Sequence, residues 1–402
     1  MLNQNQLNIM KTNEKRIFVV SGAGTGKTTV IFHRIQHLLS QKVNSESILV
    51  ISFTKRSVND LKIKFLNSTD NPVIKTFHGL SYLHFDCSNS KRLVHPSSLA
   101  LEEFDEHTVS KIITKKGVLT FMNTITKPLS RYNTVISENG LFDYADLELA
   151  FLHKMKDLTF LKQLQSTFSY IFIDEAQDMS FIQYKILQRL VNYDTFLCLV
   201  GDPDQSIYRF RGSRRQMTKQ LIHTFGCHTF TLEDNYRSCS GIIQLANTLI
   251  SHNRHRIPKV LKPHQNRVGT CEFHQFNNTK KEADFIFSKI IEFLHQKYTQ
   301  KDIIILVRNH FQANEIKRRL QLSYYSDVDC LSIHQSKGLE FKIVLLIGIE
   351  DVRTKKRLEI EEERRLFFVG ITRAKDALIM TSPQDLKVPR FVKETGIFKT
   401  KH

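Results

Sequence analysis

The 402-residue chain carries 58 Lys and Arg against 40 Asp and Glu, a formal charge of +18, which favours a polyanionic partner, nucleic acid first and an anionic membrane surface second. Its hydrophobic share of 41% and charged share of 24% are ordinary for a soluble globular protein, and its length suggests two or three domains with sizeable cores. No apolar stretch is long enough to span a bilayer, and the polar start MLNQNQLNIMKTNEK has no signal-peptide apolar region. The six cysteines (Cys87, Cys198, Cys227, Cys239, Cys271, Cys330) are scattered without a C-x-x-C pair, which argues against a zinc site, an iron–sulfur cluster or a disulfide framework and for reduced thiols in a cytoplasmic or nuclear protein.

In chain order, short apolar runs predict strands at 17–20 (IFVV), 48–53 (ILVISF), 170–174 (YIFID) and 196–201 (FLCLVG). Helical patterns separate most of them, and continuous apolar strands alternating with helices indicate a parallel sheet covered on both faces. A second set at 302–307, 328–333, 342–348 and 377–382 predicts a second α/β domain. Between Gly79 and Ser169 the pattern is mostly helical or irregular, which reads as an insertion into the first domain.

The strongest chemical signal follows the first strand. SGAGTGKTT (21–29) contains G-x-x-x-x-G-K-[ST] as Gly22, Gly26, Lys27 and Thr28, between a predicted strand and a predicted helix. Glycines let successive backbone N–H groups turn toward phosphate oxygens, and the helix N-terminus adds partial positive charge. Lys27 can reach the β- and γ-phosphates and the Thr28 hydroxyl can bind Mg²⁺. The strand YIFID ends in adjacent carboxylates, Asp174 and Glu175. In phosphoryl transfer one carboxylate holds Mg²⁺ and another orients and deprotonates the attacking water. LVGDPDQSIYRFRG (199–212) then ends a strand in polar groups and interleaves Tyr208 and Phe210 with Arg209 and Arg211. Gln205 is placed to sense a γ-phosphate, and the aromatic–basic mixture suits stacked bases and backbone phosphates.

With these motifs the chain resembles a superfamily 1 helicase of the UvrD/Rep/PcrA group. LNQNQ (2–6) is similar to the Q motif, SGAGTGKTT to motif I, ISFTKRSVNDL (51–61) to motif Ia and TFHG (76–79) to motif Ib. DEAQD (174–178) is similar to motif II, VGDPDQSIYRFRG to motif III and LEDNYRS (232–238) to motif IV. LSIHQSKGLEF (331–341) is similar to motif V and EEERRLFFVGITRAK (361–375) to motif VI.

The resemblance implies an α/β fold of two RecA-like P-loop NTPase domains with a small, mainly helical 1B insertion in the first. Domain 1A would comprise 1–79 and 170–235, the insertion 80–169, and domain 2A 236–402. It implies an ATP hydrolase whose nucleotide is held by Gln6, Gly22, Ala23, Gly24, Thr25, Gly26, Lys27, Thr28, Thr29, Tyr236, Arg237, Glu340 and Arg373. In this reading Gln6 reads the adenine edge, Tyr236 stacks on its face and Glu340 binds the ribose. Arg237 and Arg373 are the arginine fingers, and Thr28 and Asp174 hold Mg²⁺. Lys27, Asp174, Glu175, Gln205, Arg237 and Arg373 form the catalytic set. DNA contacts fall on Phe53, His78, Tyr208, Phe210, Arg211 and His334. Phe210 stands where many relatives have tryptophan. The competing readings are core packing for Phe53 and Tyr208, a hydrogen-bonded structural histidine for His78, and surface ion pairs for the two arginines.

Two departures from the family bear on function. Between the strand ending near Asn309 and motif V there is no room for the long 2B insertion of larger relatives, and 380–394 is too short for their full pin hairpin. The expectation is an ATP- and Mg²⁺-dependent translocase on single-stranded DNA, acting on 3′-tailed duplex. It would move 3′→5′ by the form of motif V, couple hydrolysis between the two domains to movement, and unwind poorly without a protein partner. The alternatives are a nucleotide-switch ATPase subunit gating a nuclease or loader, and an RNA-directed helicase. A cytoplasmic setting in a bacterium, phage or virus is expected, with a nucleus not excluded, and no membrane partner.

Overall fold

The computed structural model describes residues 2–66, 70–84, 92–93, 112, 116–120, 122, 124, 126–208, 216–265, 267–351, 354–384 and 387–397. The chain divides into two compact units. One comprises Met1–Val20, Lys27–Asp202 and Tyr208–Thr231; the other comprises Ser21–Gly26, Pro203–Ile207 and Leu232–His402.

The first unit contains strands β1 (Arg16–Ser21), β2 (Ile48–Ile51), β3 (Val73–Lys75), β4 (Arg92–Leu93), β5 (Leu141–Phe142), β6 (Tyr170–Ile173), β7 (Phe196–Gly201) and β8 (His228–Leu232). Six of them form one sheet in the order β3-β2-β6-β7-β1-β8. The pairings β2–β3, β2–β6, β6–β7 and β1–β7 are parallel, with Ile51 opposite Ile173 and Ile17 opposite Cys198. Ile17 to Val20 and Ile48 to Ile51 are buried throughout, because helices on both faces leave no solvated side for a polar alternation. The order matters for chemistry: β6, β7 and β1 are neighbours running the same way, so their carboxyl ends come together, where open α/β sheets bind ligands.

Local contacts fix the helices that flank this edge. Arg34, buried on the helix Lys27–Ser40, donates from Nη1 to the carbonyls of Ile9 (2.6 Å), Met10 (3.2 Å) and Thr12 (3.1 Å). It thereby satisfies the C-terminal carbonyls of the helix Gln4–Lys11, where a cation is also favoured by the helix dipole. Among the described residues between 84 and 170 are the helices Lys127–Glu138, Tyr144–Lys154 and Leu158–Thr167 and the short pair β4–β5. A small core of Ile112, Leu129, Tyr132 and Ile136 is tied by the buried Lys116, whose Nζ lies 2.9 Å from Asp143 and 2.7 Å from Asp146.

The second unit adds β9 (Asp234–Asn235), β10 (Lys262–Pro263), β11 (Thr270–Gln275), β12 (Ile303–Val307), β13 (Asp329–Ser332), β14 (Phe341–Leu346) and β15 (Ala374–Ser382). Five form a sheet in the order β11-β15-β14-β12-β13, parallel at every pairing. Ile303, Ile305, Val307, Ile343, Leu345 and Ile379 anchor its core against the helices Thr279–His295 and Asn314–Gln321. The link from β12 to β13 contains only the 3₁₀ turn His310–Ala313 and the helix Asn314–Gln321. Two parallel-sheet α/β domains are therefore the architecture, as the alternating apolar runs led one to expect.

Candidate functional site

The glycine loop has the backbone of a phosphate cradle. Gly24 has φ +66° and Gly26 φ +82°, a region that costs an L-residue about 1 kcal/mol or more. A Cβ on Gly24 would also meet Arg237 Cβ at 2.7 Å and Asn235 Nδ2 at 2.8 Å, so the position is closed to side chains twice over. Thr25 Oγ1 donates to the Gly22 carbonyl at 3.0 Å and closes the turn. Ala23 is buried, and its carbonyl accepts from Asn235 Nδ2 at 2.7 Å. Lys27, Thr28 and Thr29 open the helix Lys27–Ser40. A glycine-rich loop leading directly into a helix N-terminus is a backbone form that suits an anionic phosphate chain.

Lys27 Nζ lies 2.9 Å from Glu175 Oε1. Burial disfavours its charge, but the carboxylates of Glu175, Asp202 and Asp174 outweigh that and raise its pKa above the usual lysine value. Asp174, buried at the end of β6, is pushed up to about 7, first by desolvation and then by the neighbouring Glu175. A carboxyl so placed gains from a bound cation. Asp174 and the Thr28 hydroxyl are oxygen donors of the kind Mg²⁺ takes. Among the described residues no group of three or more His, Cys, Asp or Glu is arranged to hold a metal; a Mg²⁺ shared with phosphates needs no such cage.

Glu175 is one of three non-glycine residues described with positive φ, at +53°. Such strain persists only where the surroundings fix it. Here the Glu175 N–H donates to Asp174 Oδ1 at 2.9 Å, Lys27 holds Oε1, and Gln177 Nε2 donates to Oε2 at 2.5 Å. Gln177 also accepts the Asp202 N–H at 2.9 Å through Oε1, so one amide spans the ends of β6 and β7. A Cβ on Gly201 would stand 2.6 Å from that same Oε1.

In the second unit the segment after β8 lies against the glycine loop: Gly22 N–H donates to Leu232 O at 3.1 Å and Tyr236 N–H to Gly24 O at 2.9 Å. Asn235 Oδ1 accepts from the N–H groups of Arg237 (2.9 Å) and Ser238 (2.8 Å), which sets the turn carrying Tyr236 and Arg237. The Tyr236 ring, more than a third exposed, packs on His264 with centroids 4.2 Å apart. Arg237 Nε donates to Glu340 Oε2 at 2.7 Å, and Lys375 Nζ is 2.6 Å from Glu340 Oε1. Against burial, these two cations hold the Glu340 carboxyl down to about 2. Arg373 is fully buried; it donates to the carbonyls of Val369 and Leu339, both at 3.0 Å, and from Nη2 to Gln205 Oε1 at 3.0 Å. The Gln205 carbonyl accepts from Lys337 Nζ at 2.7 Å. Next to it, the buried Asp204 takes two hydrogen bonds from Arg256 (3.1 and 2.7 Å) and one from Lys259.

Gln6 is not aimed freely at a ligand. It is buried, its Oε1 accepts the Asn3 N–H at 3.0 Å, and its own N–H donates to Asn3 Oδ1 at 2.8 Å, a reciprocal helix cap. Among the expected nucleic-acid residues, Phe53 and the buried Tyr208 stack on each other with centroids 5.6 Å apart and planes 19° apart. His78 Nε2 lies 3.1 Å from Glu148 Oε1, and its ring packs on Tyr144 at 4.4 Å. His334, half-buried, lies in the turn between β13 and β14. Phe210 and Arg211 fall outside the described residues.

The sequence matches the UvrD/REP helicase N-terminal domain over residues 2–123 and 97–226, and the UvrD-like helicase C-terminal domain over 230–324 and 318–385. The chain belongs to the UvrD/REP helicase family. It is 28% identical over 364 residues to a Mycoplasma capricolum protein named "Probable DNA helicase II homolog", covering 80% of this chain and 50% of that one. It is 26% identical over 422 residues to a protein named "ATP-dependent DNA helicase PcrA" from Leuconostoc citreum, covering 93% and 56%. A protein of the same name from Staphylococcus aureus is 27% identical over 364 residues, covering 80% and 50%. The chain thus spans about half the length of these relatives.

Reading the sequence missed Gln177, Asp202, Asn235 and the Asp204–Arg256–Lys259 cluster. Gln177 and Asp202 lie inside quoted motifs, yet nothing in their spacing says that one bonds the other. Arg256 and Lys259 lie outside every motif, and only the buried partner at Asp204 gives them a role.

Proposed function

We propose that the chain is an ATP-hydrolysing motor that moves 3′→5′ on single-stranded DNA. The observation that carries this reading is the pairing of Lys27, the residue that directly follows the glycine loop, with Glu175, next to Asp174. ATP bound with Mg²⁺ would supply the phosphoanhydride whose cleavage drives movement. The loop from Ala23 to Gly26 would offer backbone N–H groups to the phosphates, Lys27 would offer its charge to the β- and γ-phosphates, and Thr28 and Asp174 would hold the metal. Glu175 orients the attacking water and takes its proton. Gln205 bears on the γ-phosphate, and Arg237 and Arg373 offset charge as the bond breaks. Tyr236 stacks on the adenine, Glu340 meets the ribose hydroxyls, and Gln6 contributes to the adenine edge while serving as a helix cap.

On the DNA side, Phe53, His78, Tyr208, Phe210, Arg211 and His334 form the track. The charge of +18 supports a polyanionic substrate. The direction and the choice of DNA rest on the likeness of motif V and on the names of the relatives. The short link between β12 and β13 supports weak unwinding without a protein partner, since the 2B insertion belongs there in larger relatives. No helix among the described residues is long and apolar enough to cross a membrane, and the motor is proposed to act in the cytoplasm of a bacterium or in a phage or viral setting.

The test is ATP hydrolysis measured without nucleic acid and with single-stranded DNA, single-stranded RNA and duplex. Strong stimulation by single-stranded DNA is expected. Equal rates in all four would overturn a DNA motor in favour of a nucleotide switch, and stimulation by RNA alone would redirect it to RNA.

A further inference from the structure

Two cysteines that the proposed motor chemistry does not use, Cys239 and Cys271, lie close together in the second unit. Cys239 is the N-cap of the helix Ser240–Ser251, and Cys271 lies in β11. Their surroundings interlock. A Cβ on Gly269, two residues before Cys271, would fall 2.2 Å from Cys239 Sγ; one on Gly241, two residues after Cys239, would fall 3.4 Å from Cys271 Sγ. Cys239 Sγ also lies 3.8 Å from Asp376 O. Cys239 is buried and Cys271 is partly exposed, so a small oxidant reaches the pair from the Cys271 side.

We propose that Cys239 and Cys271 are a site of reversible oxidative modification, closing to a disulfide on exposure to a peroxide. In the first step the Cys239 thiolate attacks one peroxide oxygen, the O–O bond breaks, Cys239 becomes a sulfenic acid, and the departing hydroxide takes up the proton the thiol had released and leaves as water. In the second, Cys271 sulfur attacks the sulfenic sulfur, the S–O bond breaks, and a second water leaves with the Cys271 proton. Two thiols are oxidised and one hydrogen peroxide is reduced to two waters.

The environment suits these roles. The hydrogen bond from Cys271, with help from the Ile242 N–H and Arg267, overcomes burial and pulls the Cys239 thiol down to about 6. That makes it the attacking group, with a resolving thiol nearby. Burial instead pushes Cys198 and Cys330 up to about 11 and Cys227 up to about 12. The bond would fasten β11 to the start of a helix two residues beyond Arg237, and the Cys239 N–H already donates to Lys375 O at 2.8 Å.

The test uses the whole chain treated with hydrogen peroxide, alkylated, digested without reduction and mapped by mass. The expected product joins the Cys239 and Cys271 peptides with loss of two hydrogens and is reversed by dithiothreitol. Both cysteines remaining alkylatable after Cys330 has been oxidised would overturn the proposal, as would either cysteine linking elsewhere. In Cys271→Ser, Cys239 should accumulate as a sulfenic acid trapped by dimedone, and absence of the adduct in the folded variant would overturn the assigned order of attack. The mapping of the unaltered chain stands if that variant does not fold.

Discussion

Lys27 Nζ and Glu175 Oε1 are 2.9 Å apart, so the cation proposed to meet phosphate is paired with the carboxylate proposed to act on water. On the proposed reading, phosphates entering the loop would take the lysine from the glutamate. Glu175→Gln removes that competition together with the proton acceptor. Nucleotide affinity should rise several-fold while turnover falls by about 10²- to 10⁴-fold. Titration with a fluorescent ATP analogue and a phosphate-release assay read the two effects separately; turnover near that of the unaltered chain would remove Glu175 from the role of base. Lys27→Ala should lose both affinity and turnover.

Arg373, proposed as an arginine finger, also has a structural part. It is fully buried and gives hydrogen bonds to Val369, Leu339 and Gln205. Arg373→Ala should therefore slow hydrolysis by about 10³-fold or more and also cost about 2–4 kcal/mol of stability, because buried acceptors lose their donor. Arg373→Lys keeps the charge but not the fork, so it should recover part of the stability and little of the rate. Chemical denaturation and steady-state kinetics on the same preparations decide this; a rate loss with unchanged stability would contradict the packing argument.

Gly201 and Gln177 give a test of the strand-end architecture. Gly201→Ala places a methyl 2.6 Å from Gln177 Oε1 and should cost about 1–3 kcal/mol. Gln177→Ala removes the colliding oxygen but leaves the Asp202 N–H and the Glu175 carboxylate without that amide. The double variant should be less destabilised than the sum of the two singles, a coupling visible in urea unfolding. Simple additivity would mean that the clash is relieved elsewhere.

Asp204 carries the counter-charge for two buried or half-buried cations, Arg256 and Lys259. Asp204→Asn leaves them uncompensated and should destabilise the protein by about 3–5 kcal/mol. Replacing all three side chains with apolar ones of similar volume should restore much of that loss. Failure of the triple replacement to recover any stability over Asp204→Asn would show that shape rather than charge sets the cost.

Glu340 supplies a pH signature. Against burial, Arg237 and Lys375 hold its carboxyl down to about 2, below the ordinary glutamate value of 4.5. A depressed carboxylate contributes stability above its unfolded pKa and loses it as pH falls through the folded value, so the loss falls between about pH 4.5 and 2. Because Glu340 is 43% exposed, solvent screening limits the effect to about 1 kcal/mol. Glu340→Gln should flatten the stability profile in that window, and an unchanged slope would place the acid sensitivity elsewhere.

The sequence by itself determined the two α/β domains, the glycine loop, the strand-end carboxylates and the family. These are legible because each is local: apolar runs a strand long, glycines where φ must be positive, and Asp174 and Glu175 at the end of an apolar run. Tertiary structure alone decided how side chains far apart in sequence satisfy one another. Gln177 reaches across to Asp202, Arg237 rests on Glu340, Arg373 is buried beneath Gln205, and Asp204 finds Arg256 and Lys259. Cys239 and Cys271, read from sequence as unrelated thiols, meet for the same reason. A spacing pattern can state which backbone a segment adopts, but hydrogen bonds and ion pairs of buried groups depend on which strands become neighbours. That choice is made by packing and by the cost of leaving a buried polar atom without a partner.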